Sequence, residues 1–384
     1  EGDFLINSIA EILLDTGKGF FGKNKEATKK QGDVVLTIDP TTQLFLEETL
    51  DKTIKKWDGS LIGGIIIEPK TGKVLAMAAK PDFNPNRYGD ESNLSLFINP
   101  NIESVFEFGS IMKPLTVAAA LNDKVITPET TYDDKGYVIL NGARIENYDG
   151  KVRGVVDMQE VLNHSLNTGA IFAMQQLGKD KFYDYLIKYG LADYTGIDLP
   201  GEAKGLISNL DNGREVEYAT ASFGQGIAIT PIEMTRALSA LANGGNIMKP
   251  YGAQDIITTD RNDEITKPKI QNQAITKETS EKITKMLVNT VDNALLNGQV
   301  KMEHYNIAAK TGTAQLPKTD GKGYEDNKYL HSFFGYGPAN DAKFLIFLYI
   351  KDPVGARYAS ETLTYPFMDL MKFLLNYYEV PPDR

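Results

Sequence analysis

The fold is decided around one stretch, residues 106–121, which reads FEFGSIMKPLTVAAAL. Gly109 gives the backbone conformational freedom immediately before Ser110, and the apolar run after Pro114 is typical of a buried helix. Residues three apart on a helix share one face. The spacing therefore predicts that the hydroxyl of Ser110 lies beside the amine of Lys113, as a nucleophile lies beside its base.

The same pattern also has a purely structural interpretation. Serine is a favoured helix N-cap, and a lysine one turn later would then point into solvent. A Ser-x-x-Lys pair on its own is weakly specific, so the other motifs of the chain have to decide between the two interpretations.

Composition limits the classes of function. The 384 residues are 42% hydrophobic and 24% charged, and the net charge of −10 offers no broad basic face for nucleic acid. The absence of cysteine excludes disulfides, thiol nucleophiles and cysteine metal sites. The three histidines, His164, His304 and His331, are far apart in sequence. We therefore expect no metal site and no cofactor. Three histidines are still enough in number for a Ser-His-Asp triad.

Strand patterns lie near both ends of the chain and helix patterns fill the middle. Strands are predicted at residues 34–38, 63–69, 73–79, 307–315, 330–337 and 343–350. Helices are predicted at residues 40–57, 110–121, 158–177, 182–189, 231–243, 277–297 and 364–377. This order favours an α+β fold with one antiparallel sheet built from both ends and a helical region inserted between them. Helices 40–57 and 364–377 are expected to cover one face of that sheet.

The first 32 residues are expected to be a linker or the remnant of another domain. Residues 4–14 show helical apolar spacing, and residues 23–31 are polar and rich in lysine. Residues 17–24 imitate a phosphate-binding loop but lack the hydroxyl residue that would contact magnesium. No run of about 18 apolar residues is present, so no segment of this sequence is expected to cross a membrane. The chain starts at Glu1 without a signal-peptide pattern, and we expect it to be a fragment of a longer protein.

Three short motifs favour the catalytic interpretation. They follow one another along the chain as Ser110-x-x-Lys113, Ser165-x-Asn167 and Lys310-Thr311-Gly312. Lys-Thr-Gly also occurs at residues 70–72, where it is ordinary chemistry for a hairpin turn. We therefore take the later copy, which follows an apolar strand and continues into Thr313.

The first two motifs suit acyl transfer through a serine ester. Ser110 would attack a carbonyl, and Lys113 accepts its proton only when the amine is neutral. Lowering a lysine pKa from about 10.4 by roughly three units costs about 4 kcal/mol, and burial together with the charge of Lys310 acts in that direction. Ser165 would relay a proton to the leaving amine, and the amide of Asn167 would hold Lys113 and the substrate amide.

The third motif suits recognition of the substrate. Lys310 and the hydroxyls of Thr311 and Thr313 fit a carboxylate, while Gly312 would let substrate lie against the strand edge. The backbone N–H groups of Ser110 and Thr313 are expected to form an oxyanion hole, worth about 3–4 kcal/mol per donor.

With these motifs, found in serine β-lactamases and penicillin-binding proteins, the chain resembles the class B penicillin-binding proteins, the monofunctional D,D-transpeptidases of cell-wall synthesis. The likeness covers about residues 33–378. It is also carried by residues 36–39, 71–77, 82–86, 223–226, 230–231, 309–315 and 332–339. The last two segments look more like the septal, cell-division branch than the elongation branch.

The resemblance implies a penicillin-binding or serine β-lactamase-like fold. That fold has an antiparallel five-stranded sheet flanked by helices, with an inserted, mostly helical lobe. Residues 33–384 would form the transpeptidase domain, with a sheet lobe at about 33–109 and 300–384 and a helical lobe at about 110–299. Residues 1–32 would then be a linker or the remnant of an N-terminal pedestal domain.

The resemblance also implies a substrate, inhibitors and partners. Ser110 would take the acyl group of a peptidoglycan stem peptide ending in D-Ala-D-Ala, and an amine of a neighbouring stem peptide would complete the cross-link. β-Lactams would acylate the same serine. The full-length protein would be extracytoplasmic and anchored by an N-terminal membrane helix missing from this sequence, with a SEDS-family glycosyltransferase and other cell-wall synthesis proteins as partners.

Two positions depart from the pattern of that family. Phe108 stands where proline is usual, and Ile111 stands where threonine or serine is usual. We expect Phe108 to reshape the approach to the Ser110 helix and to change susceptibility to β-lactams.

Three other functions share these motifs. A serine β-lactamase needs a base for its hydrolytic water, which class A enzymes take from a glutamate. A D,D-carboxypeptidase would use water in place of the acceptor amine. A non-catalytic β-lactam sensor or scaffold domain would bind without turnover, although every motif residue is present here.

Overall fold

The computed structural model describes residues 32–258, 264–318 and 323–384. The predicted helix at 4–14, the segment at 17–24 that imitates a phosphate-binding loop and the lysine-rich segment at 23–31 lie outside the described residues.

The elements within these ranges follow one another as a mixed α+β chain. The strands are β1 (Gly32–Leu36), β2 (Leu61–Ile67), β3 (Val74–Lys80), β4 (Thr131–Asp134), β5 (Tyr137–Leu140), β6 (Ala143–Glu146), β7 (Gly154–Asp157), β8 (Asn246–Met248), β9 (Ala253–Thr258), β10 (Glu264–Ile265), β11 (Ile270–Gln273), β12 (Ala308–Pro317), β13 (Tyr324–Gly337) and β14 (Phe344–Lys351). The helices are α1 (Pro40–Trp57), α2 (Pro100–Glu103), α3 (Lys113–Asn122), α4 (Met158–Asn163), α5 (Asn167–Leu177), α6 (Lys179–Lys188), α7 (Glu215–Ala221), α8 (Pro231–Ala242), α9 (Lys277–Asn289), α10 (Ala359–Thr362) and α11 (Thr364–Tyr377).

The main sheet has five antiparallel strands in the order β12-β13-β14-β2-β3. Two strands from the amino-terminal part of the chain thus pair with three from the carboxy-terminal part, which confirms the predicted fold class. The inner strands β2 and β14 are buried along nearly their whole length, and this explains why both are uninterrupted apolar runs. Strand β12 forms one edge of the sheet.

Helices α1 and α11 cover one face of this sheet, as predicted. Their apolar residues, among them Leu46 and Phe367, share a core with Phe333 of β13. Asp39 caps α1 by accepting the N–H of Thr42 at 2.7 Å, which satisfies one of the donors left open at a helix start.

The opposite face packs against the helical region. Side chains alternate along a strand, so Phe334, next to Phe333, joins the core that contains α3. Helix α3 is buried from Lys113 to Leu121 and contacts α4, α5, α6, α8 and α9. A helix that is apolar around its whole circumference is typical of such a central position. Its first turn is thereby held between the sheet and the other helices.

Two predicted helices are interrupted in the structure. The helix predicted at 158–177 ends as α4 at Asn163 and restarts as α5 at Asn167, and between them Ser165 has a φ of 54°. The helix predicted at 277–297 is α-helical only to Asn289 and continues as a π-helical turn, Thr290–Ala294. Both interruptions border the cavity described below.

Candidate active site

Ser110 lies in a short 3-10 turn, Gly109–Met112, that leads directly into α3. Gly109 has a φ of 64°, and a Cβ at that position would lie 2.7 Å from the carbonyl oxygen of Thr313. A residue with a side chain would therefore push the turn away from β12. The glycine thus lets the turn that carries the serine approach the edge strand closely.

A cavity of about 800 Å³ opens between β12 and the helical region. Its wall contains six of the side chains or backbone positions predicted from the sequence: Ser110, Ser165, Asn167, Lys310, Thr311 and Thr313. Three motifs that are widely separated in sequence therefore meet at one place.

Lys113 lies beneath this cavity and is fully buried. Its Nζ is 3.1 Å from the Oγ of Ser165 and 2.5 Å from the carbonyl oxygen of Ser165. Burial, with the nearby charge of Lys310, holds the pKa of Lys113 well below its usual range. The neutral amine, which a general base requires, is therefore favoured.

Lys310 lies on β12 and is also buried, with 3% of its surface exposed. Its Nζ is 3.0 Å from the Oγ of Ser165 and 3.1 Å from the carbonyl oxygen of Thr311. Burial lowers the pKa of Lys310 to about 7. The hydroxyl of Ser165 thus bridges two amines. Because two positive charges repel each other at this separation, the state in which both Lys113 and Lys310 are protonated is disfavoured.

The interruption of the predicted helix at Ser165 explains this bridge. A positive φ is uncommon for a residue with a side chain, and here it turns both the carbonyl and the hydroxyl of Ser165 towards lysine amines. A continuous helix would have used that carbonyl for its own hydrogen bonds.

Asn167 takes a different partner from the one expected. Its Nδ2 donates to the carbonyl oxygen of Glu146 at 2.8 Å, and within the described residues it makes no hydrogen bond to Lys113. The amide instead ties the first residue of α5 to the end of β6, and Ser165 orients Lys113. The expected contact of Asn167 with Lys113 is therefore corrected.

The structure gives a reason for the glycine at position 312 that the sequence did not indicate. It is buried, it is absent from the described wall of the cavity, and a Cβ there would lie 2.4 Å from the carbonyl oxygen of Phe108 and within contact of Ser332. The glycine makes room for the turn that carries Ser110, and its expected role beside the substrate stays a prediction.

The two positions that depart from the family pattern point into the core. Phe108 is 2% exposed and packs edge-on against Phe347 with ring centroids 5.1 Å apart, and Ile111 is fully buried. Neither residue is in the described wall of the cavity. The Phe108 side chain therefore packs into the core, and its backbone carbonyl accepts from Ser332 at 2.7 Å; the expected effect on the approach to Ser110 and on β-lactam susceptibility stays a prediction.

Several wall residues carry no motif and were missed from the sequence. Tyr148 and Tyr358 contact each other edge-on across the wall, with ring centroids 5.5 Å apart. Beside them, the N–H of Ala359 donates to Oγ1 of Thr313 at 3.0 Å. These residues come from turns far apart in sequence, and only the completed sheet brings them together.

The earlier Lys-Thr-Gly copy, residues 70–72, is not in the described wall of this cavity. Residues 70–72 form the turn between β2 and β3, where the hydroxyl of Thr71 bonds the carboxylate of Glu68. The interpretation of this copy as hairpin chemistry is confirmed.

The described residues hold neither a metal-ligand cluster nor a membrane-spanning helix. Within 32–258, 264–318 and 323–384, no three histidine, aspartate or glutamate side chains cluster as ligands for a metal ion. In the same ranges, no helix combines the length and the apolar character needed to span a bilayer.

The chain is similar to known proteins over most of its length. Residues 62–372 match the family model described as the penicillin binding protein transpeptidase domain. The chain is 34% identical to the stage V sporulation protein D of Bacillus subtilis, over 92% of this chain and 55% of that protein. It is 28% identical to the peptidoglycan D,D-transpeptidase FtsI of Buchnera aphidicola, over 91% of this chain and 60% of that protein. The chain thus spans little more than half the length of these relatives.

Solved structures are similar over most of the chain. Penicillin-binding protein 3 of Mycobacterium tuberculosis, in complex with aztreonam, has a TM-score of 0.84 at 25% identity and covers 92% of this chain and 81% of that one. The transpeptidase domain of Burkholderia pseudomallei penicillin-binding protein 3 has a TM-score of 0.78 at 25% identity, covering 94% of this chain and 100% of that one.

Proposed function

Because this chain belongs to the transpeptidase-domain family of penicillin-binding proteins, and within it to class B, we propose that it is a serine-type D,D-transpeptidase that cross-links peptidoglycan stem peptides. One observation supports the proposal above the others. The hydroxyl of Ser165 lies within hydrogen-bond distance of both Lys113 and Lys310, at the wall of the cavity that also contains Ser110.

This arrangement suits the formation of a serine ester. Ser110 Oγ attacks the carbonyl carbon of the penultimate D-Ala, so that a C–O bond forms and the C–N bond to the terminal D-Ala breaks. Neutral Lys113 takes the serine proton, and Ser165 passes a proton to the nitrogen of the leaving D-Ala. The backbone N–H groups of Ser110 and Thr313 stabilise the oxyanion.

The strand side of the cavity suits the terminal carboxylate of the substrate. Protonated Lys310 supplies the charge, and the hydroxyls of Thr311 and Thr313 supply hydrogen bonds. Since Thr313 Oγ1 already accepts the N–H of Ala359, its own proton is available for donation to the carboxylate. An acceptor amine then attacks the ester, so that a C–N bond forms, the C–O bond to Ser110 breaks, and a proton of the amine returns to the oxygen of Ser110.

The cavity wall favours amine transfer over β-lactam hydrolysis. Among its described residues the one carboxylate is Glu146, which pairs with Arg144 at 2.7 Å. A β-lactamase of class A uses a glutamate to activate its hydrolytic water. The described wall offers no unpaired carboxylate for that task. We therefore expect the ester to resist hydrolysis and to react with an amine.

We extend the proposal to the whole protein. Residues 33–384 would be its transpeptidase domain, with the sheet and helical lobes given above, and residues 1–32 would be a linker or the remnant of an N-terminal pedestal domain. The full-length protein would be extracytoplasmic and membrane-anchored, inhibited by β-lactams, and would work beside a SEDS-family glycosyltransferase. The segments at 309–315 and 332–339 support the cell-division branch.

A donor and acceptor assay tests the proposal. With a peptide ending in D-Ala-D-Ala and an excess of a primary amine, we expect released D-Ala and an amide product, both detected by mass spectrometry. Ser110→Ala should abolish both, whereas Ser60→Ala, which changes an exposed hydroxyl bonded to Lys351, should keep them. D-Ala release that persists in Ser110→Ala, or release with hydrolysed product alone, would contradict transpeptidation.

A further inference from the structure

The cavity wall carries a cation that the proposed reaction does not use. Arg357 lies in the loop between β14 and α10 and contributes to the wall. Its guanidinium lies 5.5 Å from the ring centroid of Tyr358, and within the described residues it forms no ion pair with a carboxylate. An arginine held against an aromatic ring beside a cavity, without a partner anion, is suited to bind an anion that enters from outside.

The backbone around Arg357 is fixed to the strand that carries Lys310. The Arg357 N–H donates to the carboxylate of Glu361 at 3.0 Å, and its carbonyl oxygen is 3.2 Å from Nε2 of buried His331. Two residues later, Ala359 bonds Thr313 of β12. The loop is therefore attached to the edge strand at the end where the substrate carboxylate is proposed to bind.

The charges of the cavity wall also favour an anion beside Arg357. The chain as a whole has a net charge of −10, yet the described wall contains Arg144, Lys310 and Arg357 against the single carboxylate of Glu146. Arg144 and Glu146 compensate each other at 2.7 Å. Lys310 and Arg357 are then left without a carboxylate partner in the described wall, and the terminal carboxylate of a donor would pair with Lys310.

The neighbouring aromatic side chains define the shape of the surface. Tyr148, from the turn after β6, meets Tyr358 edge-on, with centroids 5.5 Å apart. The pair joins the helical side of the cavity to the sheet side, beside the guanidinium. An aliphatic side chain can lie on such aromatic faces while its terminal carboxylate reaches Arg357.

We propose that Arg357 is a second anion subsite, which recognises a side-chain carboxylate on the donor stem peptide. The inference rests on the proposed function and specifies its substrate. The preferred donor carries two carboxylates, one at the terminal D-Ala and one on the side chain of a residue on the acyl side. A donor with that side-chain carboxylate converted to a carboxamide is a poorer substrate.

Two donors test this directly. They are D-Ala-D-Ala peptides that differ only in one side chain, which bears a carboxylate in one and the carboxamide in the other. The measured quantity is the ratio of their kcat/KM values for D-Ala release. The wild type is expected to favour the carboxylate donor by about tenfold, which is the size of one charge-assisted hydrogen bond, with most of the difference in KM.

Variants assign that preference to the arginine. Arg357→Gln should bring the ratio close to one, and Arg357→Lys, which keeps the charge, should restore part of it. Arg87→Gln, which removes an exposed arginine paired with Asp90 outside the cavity, should keep the wild-type ratio. Because both donors are measured on one protein sample, a partial loss of folded protein cancels in the ratio.

The outcomes separate this inference from the proposed function. If the wild type releases D-Ala from neither donor, the proposed function fails and the subsite fails with it. If the wild type uses both donors with a ratio near one, or if Arg357→Gln keeps the wild-type ratio, the transpeptidase stands and the second subsite is overturned.

Discussion

At the scale of single residues, the site depends on how one hydroxyl is shared. Ser165 is half-buried, and its oxygen lies 3.1 Å from the amine of Lys113 and 3.0 Å from that of Lys310. Burial lowers the pKa of both amines. The arrangement therefore supplies a neutral base and a proton relay at a pH where an ordinary lysine would be charged.

The pH dependence of acylation follows from these two amines. The reaction needs Lys113 neutral, so its rate should rise with pH as that amine loses its proton. It also needs Lys310 charged to hold the carboxylate, so the rate should fall as pH rises above about 7, the pKa of Lys310. We expect a bell-shaped profile for acylation by benzylpenicillin, followed by rapid-mixing fluorescence. Lys113→Ala should be slower by about 10²–10⁴ and should lose the acidic limb.

The matched control for this prediction is Lys52→Ala. Lys52 is an exposed lysine paired with Glu48 on α1, and its loss should leave the profile unchanged. An acylation rate in Lys113→Ala equal to that of the wild type, or an acidic limb that persists there, would exclude Lys113 as the base.

At the scale of elements, two glycines allow the 3-10 turn and strand β12 to lie in close contact. Gly109 faces the carbonyl of Thr313, and Gly312 faces the carbonyl of Phe108 and the side chain of Ser332. The distance between the nucleophile and the strand that binds substrate is therefore set by backbone against backbone. This contact is rigid because a carbonyl cannot rotate aside as a long side chain can.

A methyl group at Gly312 tests this contact. In Gly312→Ala the new Cβ would meet a backbone oxygen at 2.4 Å, so the turn or the strand must move. We expect a loss of about 1–3 kcal/mol in the free energy of unfolding, the usual cost of overpacking, together with slower acylation. Gly89→Ala, where nothing lies within 4 Å of the new Cβ, should change neither. Urea denaturation of the two variants measures the difference, and equal stabilities would contradict the described packing.

The interrupted helix at Ser165 marks the limit of local sequence patterns. Residues 158–177 have helical periodicity throughout, so nothing in their spacing indicates a break. The break is supported by hydrogen bonds from Lys113 and Lys310, which are distant in sequence. Long-range partners of this kind override local propensity. By contrast, the bounds of α1, with Pro40 at its start, could be predicted because its signals are local.

At the scale of the whole molecule, the order of strands and helices could be predicted because apolar runs at both ends must pair to bury their faces. The three motifs also indicated that Ser110, Ser165 and Lys310 would lie at one cavity, because acyl transfer needs a nucleophile, a proton relay and a cation at the same place. The wall residues Arg357, Tyr148 and Tyr358 could not be predicted, because they lie in turns whose positions depend on the finished sheet. The hydrogen bond of Asn167 to Glu146 and the close approach of Gly312 to Phe108 were missed for the same reason: these partners come from other elements.

The account as a whole depends on Ser110 being the nucleophile of this cavity. The most direct measurement is intact-mass spectrometry of the protein with benzylpenicillin, followed over hours, with peptide mapping of the modified residue. The account predicts one penicillin adduct, carried by the peptide that contains Ser110 and retained far longer than a β-lactamase would retain it. An adduct mapped to another serine, or a protein that stays unmodified while penicillin is hydrolysed or left intact, would contradict it.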